Sequence, residues 1–87
     1  MIDLYSANTP NGKKISIMLE EIGFDYKVIK VDINNGEQFN KDFKKISPLS
    51  KIPVIIDQQN KKTVFESGAI LIYLAELSGN FITLKKD

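Results

Sequence analysis

Glu66-Ser67-Gly68 lies between a β-like stretch, Lys62-Thr63-Val64-Phe65, and apolar residues at helical spacing, Ile70, Leu71, Leu74 and Leu77. A serine capping a helix, with an acidic residue just before it, can hold both ends of an α-amino acid. The unpaired N–H groups and positive dipole end of a helix start suit the carboxylate, and the Ser67 hydroxyl adds a donor. Glu66 suits the neighbouring ammonium through charge-assisted hydrogen bonds. The same residues equally describe an ordinary N-cap, for which serine is a preferred type.

A second constellation is Thr9-Pro10-Asn11-Gly12. Thr9 or Asn11 can cap a helix, with Pro10 and Gly12 shaping the turn. Such a turn also aims hydroxyl, amide and N–H donors at one point, where they would stabilise a thiolate and lower its pKa. Lys51, ahead of Ile52-Pro53, and Gln38 can each reach a carboxylate or an amide, or can simply be solvated.

These residues need a frame. Ile2–Ser6 reads as a strand, and Ile15, Met18, Leu19 and Ile22 mark a helix that Gly23 stops. Tyr26–Val31 is rich in β-branched residues and reads as a strand. After Asn34-Asn35-Gly36, the residues Phe39, Phe43 and Ile46 mark a short helix that Gln38 begins and Ser47-Pro48 ends. Pro53–Asp57 is an apolar run of central-strand type. A polar loop of hairpin length then leads to the strand Lys62–Phe65 and to a helix from Ser67 to about Ser78, closed by Gly79.

The order β-α-β-α-β-β-α implies a parallel pair joined by a right-handed crossover and an antiparallel hairpin. An α/β, thioredoxin-like domain with a four-stranded mixed sheet is expected over residues 1–80. Residues 81–87 read as the start of a linker. In such a sheet the bond before Pro53 is commonly cis, which would present the Ile52 N–H and C=O to an extended peptide as if adding a strand. A trans proline opening a strand is the alternative.

Composition narrows the function. Eighty-seven residues make one small domain, and the net charge of +1 with interspersed signs argues against nucleic acid or an anionic membrane as partner. There is no cysteine and no histidine. Disulfide frameworks, thiolate metal sites, cysteine nucleophiles and histidine bases are thereby excluded; carboxylate-only metal sites stay open, though no EF-hand or similar spacing is present. A start without a basic region or long apolar run makes a cytoplasmic setting the default.

Together, Thr9-Pro10-Asn11-Gly12, Gln38-Phe39, Ser47-Pro48, Lys51-Ile52-Pro53 and Phe65-Glu66-Ser67-Gly68-Ala69-Ile70 resemble the N-terminal, thioredoxin-like domain of glutathione transferases. Within that family the pattern is most similar to the bacterial nu class and a related yeast nitrogen regulator. The resemblance implies glutathione as co-substrate and no metal. Glu66 and Ser67 would hold the γ-glutamyl amine and carboxylate. Ile52, ahead of a cis Pro53, would pair with the cysteinyl unit, and Gln38 and Lys51 would contact the glycyl end. Thr9 and Asn11 would face the sulfur as catalytic residues, with Tyr5 and Ser6 left to the core or a supporting shell.

The activity so implied is reduction of disulfides with glutathione, with transfer to electrophiles as a weaker possibility. It needs no protein thiol, because one glutathione thiolate opens the disulfide and a second resolves the mixed disulfide. The resemblance further implies a homodimer and a helical second domain beyond residue 87. A non-catalytic interaction module on the same fold is the competing expectation. A glutaredoxin-like enzyme using its own thiol is excluded by the lack of cysteine.

Overall fold

Ile2, Leu4 and Ser6 are buried while Asp3 and Tyr5 are half-exposed, the period-two alternation of strand β1 (Ile2–Ser6). The computed structural model describes residues 1–79; the linker expected over 81–87 lies outside them. Helix α1 (Pro10–Ile22) starts on a proline, which loses nothing there, and Gly23 ends it in the left-handed region at φ 73°. Strand β2 (Tyr26–Lys30) follows, and a longer excursion leads through helix α2 (Lys41–Ile46) to the hairpin of β3 (Val54–Asp57) and β4 (Lys62–Phe65). Helix α3 (Ser67–Ser78) closes the unit.

The sheet order is β2-β1-β3-β4, with β1 and β2 parallel and the other neighbours antiparallel. This is the mixed, thioredoxin-like sheet that the element order implies. Alternation along the strands divides the core into two layers. Ile2, Leu4 and Ile55 meet Ile15, Met18 and Leu19 of α1 and Ile70, Leu74 and Ala75 of α3 on one face. On the other, Val31 and Val54 meet Phe43 of α2, with Tyr5, Ile46 and Ile52 packed around them.

The second helix differs from the sequence expectation. Gln38 does not begin it: Gln38 and Phe39 sit in a separate 3-10 turn, Glu37–Phe39, and α2 starts at Lys41. Gly36 at φ 74° and extended Asn40 at ψ 145° break the path on either side. The spacing of Phe39, Phe43 and Ile46 imitates one continuous helix, yet Phe39 is 63% exposed and only covers itself with the Lys44 ammonium, 6.0 Å from its ring. Asp32 and Glu37 fix this excursion. Asp32 accepts from the Asn35 N–H and Glu37 from the Asp32 N–H, in the manner of a capping box.

Candidate functional site

Three chain junctions converge at one end of the sheet: the turn into α1, the approach to β3 and the step from β4 into α3. Between them lies a cleft of about 190 Å³ lined by Asn11, Lys51, Ile52, Pro53, Glu66 and Ser67. A larger hollow, about 440 Å³, lies at the opposite end, but its buried carboxylate, Asp57, already has its hydrogen bonds. Convergent unpaired polar groups, rather than size, mark the smaller cleft as the site.

The floor of the cleft is the start of β3. Its ladders end at the pairs Val54–Tyr5 and Val54–Phe65, so Ile52 and Pro53 stand beyond them. The Ile52–Pro53 peptide is cis. The Ile52 main chain forms no hydrogen bond among the described residues. Ser47, 1% exposed, holds the loop beneath: its hydroxyl accepts from the Lys51 N–H and donates to the Lys51 carbonyl, each at 3.0 Å. That brace fixes the Lys51 backbone and leaves its ammonium outside, without an ion pair among the described residues.

The wall made by α3 corrects the sequence reading. Ser67 is not the N-cap but the first helical residue, and Glu66 occupies the cap position without any side-chain capping bond. The Ile70 N–H bonds the Glu66 carbonyl, so the N–H groups of Ser67, Gly68 and Ala69 precede the first intrahelical bond. Neither the Glu66 carboxylate nor the Ser67 hydroxyl has a hydrogen-bond partner among the described residues. Glu66 also has φ 72° and ψ 126°, a region that L side chains rarely adopt, at a cost of about 1–3 kcal/mol. Strain of this size is held in place by the structure around it, and Glu66 lines the cleft beside a helix start left open.

The α1 wall is arranged differently. Thr9 is the N-cap, its hydroxyl accepting from the Gly12 N–H at 3.1 Å. Asn11, exposed in the first turn, lines the cleft, whereas Thr9 is not among the lining residues. Gly12 is there for space. A Cβ at this position would strike the Ser6 hydroxyl and stand 2.7 Å from the Ala7 carbonyl oxygen. Gln38 also lies outside the lining, and its side-chain oxygen is buried without a partner. Of the seven residues expected to bind a ligand, the cleft therefore assembles Asn11, Lys51, Ile52, Pro53, Glu66 and Ser67, but not Gln38.

One group escaped the sequence reading. Asp57, 2% exposed, accepts from the Gln59 and Asn60 N–H groups, the Asn60 side chain and, at 2.6 Å, the Tyr73 hydroxyl of α3. Burial pushes its carboxyl up, but the bonds from Tyr73, Asn60 and Gln59 more than reverse this and hold it below the ordinary value. The Tyr73 hydroxyl is raised, by burial first and then by the bond to Asp57 and its charge. An aspartate followed by turn residues at Gln59 and Asn60 was the available signal, a side-chain turn of Asx type. Among the described residues no group of acidic side chains could hold a metal, and no helix is long and apolar enough to cross a membrane.

Comparison with known proteins agrees with this arrangement. The family profile for the glutathione S-transferase N-terminal domain matches residues 1–76. The chain is 52% identical over 88 residues to the disulfide-bond oxidoreductase YfcG of Escherichia coli K12, covering 95% of this chain and 41% of that protein. A glutathione transferase from Burkholderia graminis, solved with two glutathione molecules bound per subunit, superposes with a TM-score of 0.86 at 47% identity. That match covers 93% of this chain and 35% of the other. Ure2p in complex with glutathione gives a TM-score of 0.84 at 37% identity, over 88% of this chain and 35% of that one. The chain thus spans about two fifths of YfcG and about a third of each solved relative.

Proposed function

The chain belongs to the glutathione S-transferase family, as its N-terminal domain, and from that premise we propose that it supplies the glutathione site of a glutathione-dependent disulfide-bond reductase. The observation that carries the proposal is the open start of α3 beside the unbonded main chain of Ile52. Between them are complementary places for each part of γ-Glu-Cys-Gly. Glu66 would receive the γ-glutamyl ammonium, while the Ser67 hydroxyl and the first N–H groups of α3 would receive its carboxylate. The Ile52 N–H and C=O would pair with the cysteinyl backbone in the manner of an added strand. Lys51 would meet the glycyl carboxylate. Gln38 would join it there only by turning its side chain out of its present packing.

The thiol of a peptide so held would lie at the turn into α1. Asn11 can donate to sulfur there. Thr9 keeps its hydroxyl proton for the same purpose, because its bond with Gly12 uses only a lone pair. Such donors, with the positive end of α1 behind them, favour thiolate over thiol. Glutathione bound in this way supplies the nucleophile for thiol–disulfide exchange, and a second glutathione completes the reduction. The two glutathione molecules in the Burkholderia graminis relative and the name of the Escherichia coli relative support this reading over transfer to electrophiles. The same reading carries a cytoplasmic homodimer.

The test is disulfide reduction by the full-length protein with glutathione as reductant. Turnover should saturate with glutathione, and Asn11→Ala should lower kcat by about tenfold, the scale of a single lost donor to a developing charge, with a smaller effect on KM. A protein that neither binds glutathione nor shows this turnover would be an interaction module instead.

A further inference from the structure

The open start of α3 must stay in register with the start of β3, because those two segments form a wall and the floor of the cleft. Apolar packing of Ile70, Leu74 and Ala75 on the sheet holds α3 down but is not directional, so it does little against sliding along the helix axis. A hydrogen bond is directional, and one such bond joins the far parts of the same two elements. The Tyr73 hydroxyl donates to Asp57 Oδ2 at 2.6 Å. Asp57 is the last residue of β3, and its Oδ1 accepts from the Gln59 and Asn60 N–H groups at 3.1 and 3.3 Å. Oδ2 also accepts from the Asn60 side chain at 2.8 Å, so one carboxylate grips the hairpin turn with both oxygens and α3 through Oδ2.

We infer that Asp57 and Tyr73 are positioning residues for the cleft at the other end of the sheet. Ser67 and Tyr73 ride on one helix, about 9 Å apart along its axis at 1.5 Å per residue. Ile52-Pro53 lead directly into β3, the strand that Asp57 ends. Fixing Tyr73 to Asp57 sets the axial position of Ser67 against Ile52, hence the span between the groups that would hold the γ-glutamyl carboxylate and the cysteinyl backbone. Neither Asp57 nor Tyr73 touches the cleft, whose lining contains neither residue. The inference deepens the glutathione reading of the site and rests on it.

Tyr73→Phe in the full-length protein, assayed well below its melting temperature, should raise KM for glutathione about fivefold and leave kcat at saturation within about twofold. Asp57→Asn should fall between wild type and Tyr73→Phe, because an amide can still accept from the turn and donate to the Tyr73 oxygen. Ile15→Val, which thins the same core layer without touching the clamp, should leave KM unchanged. Amide hydrogen exchange gives a readout that needs no ligand. In Tyr73→Phe the amides of residues 70–73, the first to be hydrogen-bonded in α3, should exchange about tenfold faster while those of β1 keep their rates. Wild-type KM and unaltered exchange at 70–73 in Tyr73→Phe would overturn the inference, as would an equal rise of KM in Ile15→Val. If the wild-type protein shows no saturable glutathione dependence, the functional reading fails, and exchange at 70–73 still decides whether the clamp exists.

Discussion

Two helices begin beside the cleft, and they begin in opposite ways. At α1 the start is closed: Thr9 sits in the cap position, its hydroxyl takes the Gly12 N–H, and Pro10 removes a donor that would otherwise need a partner. At α3 the start is open. Ser67 stands one residue inside the helix, Glu66 occupies the cap position in a strained conformation, and no side chain among the described residues covers the first N–H groups. Both starts carry a hydroxyl residue that reads as a cap in the sequence. A single position in register separates a hydroxyl that stabilises the fold from one without a partner among the described residues.

Substitutions on the two sides should therefore separate stability from binding. The largest effect belongs to the closed start. Gly12→Val places atoms against the Ser6 hydroxyl and the Ala7 carbonyl, and should cost about 3 kcal/mol in denaturant unfolding. A loss below about 1 kcal/mol would show that the turn can yield. Ser67→Ala should weaken glutathione about tenfold in calorimetry and change unfolding free energy by less than about 0.5 kcal/mol. Its mirror is Thr9→Ala, expected to cost about 1 kcal/mol of stability as a lost N-cap. Should both variants lose stability alike, the contrast between the two starts would collapse.

Smaller effects sharpen the same contrast. Glu66→Gly relieves a positive φ that glycine adopts freely, and should raise stability by about 0.5–1 kcal/mol while weakening glutathione. Unchanged or reduced stability would mean the strain is not released there. The least effect is the pH dependence of the Asp57 contribution. Its carboxyl is held below the ordinary value in the folded state, so the stabilisation is present above the unfolded value, about 3.9, and is lost as pH falls through the lower folded value. The stability gap between wild type and Asp57→Asn should be constant at neutral pH and narrow below about pH 4 in acid-denaturation curves.

Much of this architecture is legible in the residues. Helical spacing followed by Gly23 and Gly79, the apolar run Pro53–Asp57 and the polar loop after it report local geometry, and the elements form where those signals lie. The convergence of Asn11, Lys51, Ile52 and Ser67 was legible through family motifs, which encode junctions that the fold brings together. What stayed hidden depends on register or on distant partners. A hydroxyl near a helix start does not say whether it falls at the cap or one residue later, because backbone strain at Glu66 decides that. Phe39 keeps helical spacing with Phe43 although Asn40 interrupts the helix, since spacing alone cannot register a single extended residue. Asp57 gains its main role from Tyr73, sixteen positions away in sequence, through a contact that exists only once α3 lies on the sheet.

The division of the core into two layers has a consequence for how such a site can change over evolutionary time. The α3 wall rests on the layer of Ile15, Leu19, Ile70 and Leu74, whereas Ile52 packs into the other layer with Val31 and Phe43. Repacking around α2 can thus shift the side of the cleft at Ile52 without disturbing the side at the start of α3. Descendants of such a domain are free to vary what they hold at one side of the cleft while inheriting the other side unchanged.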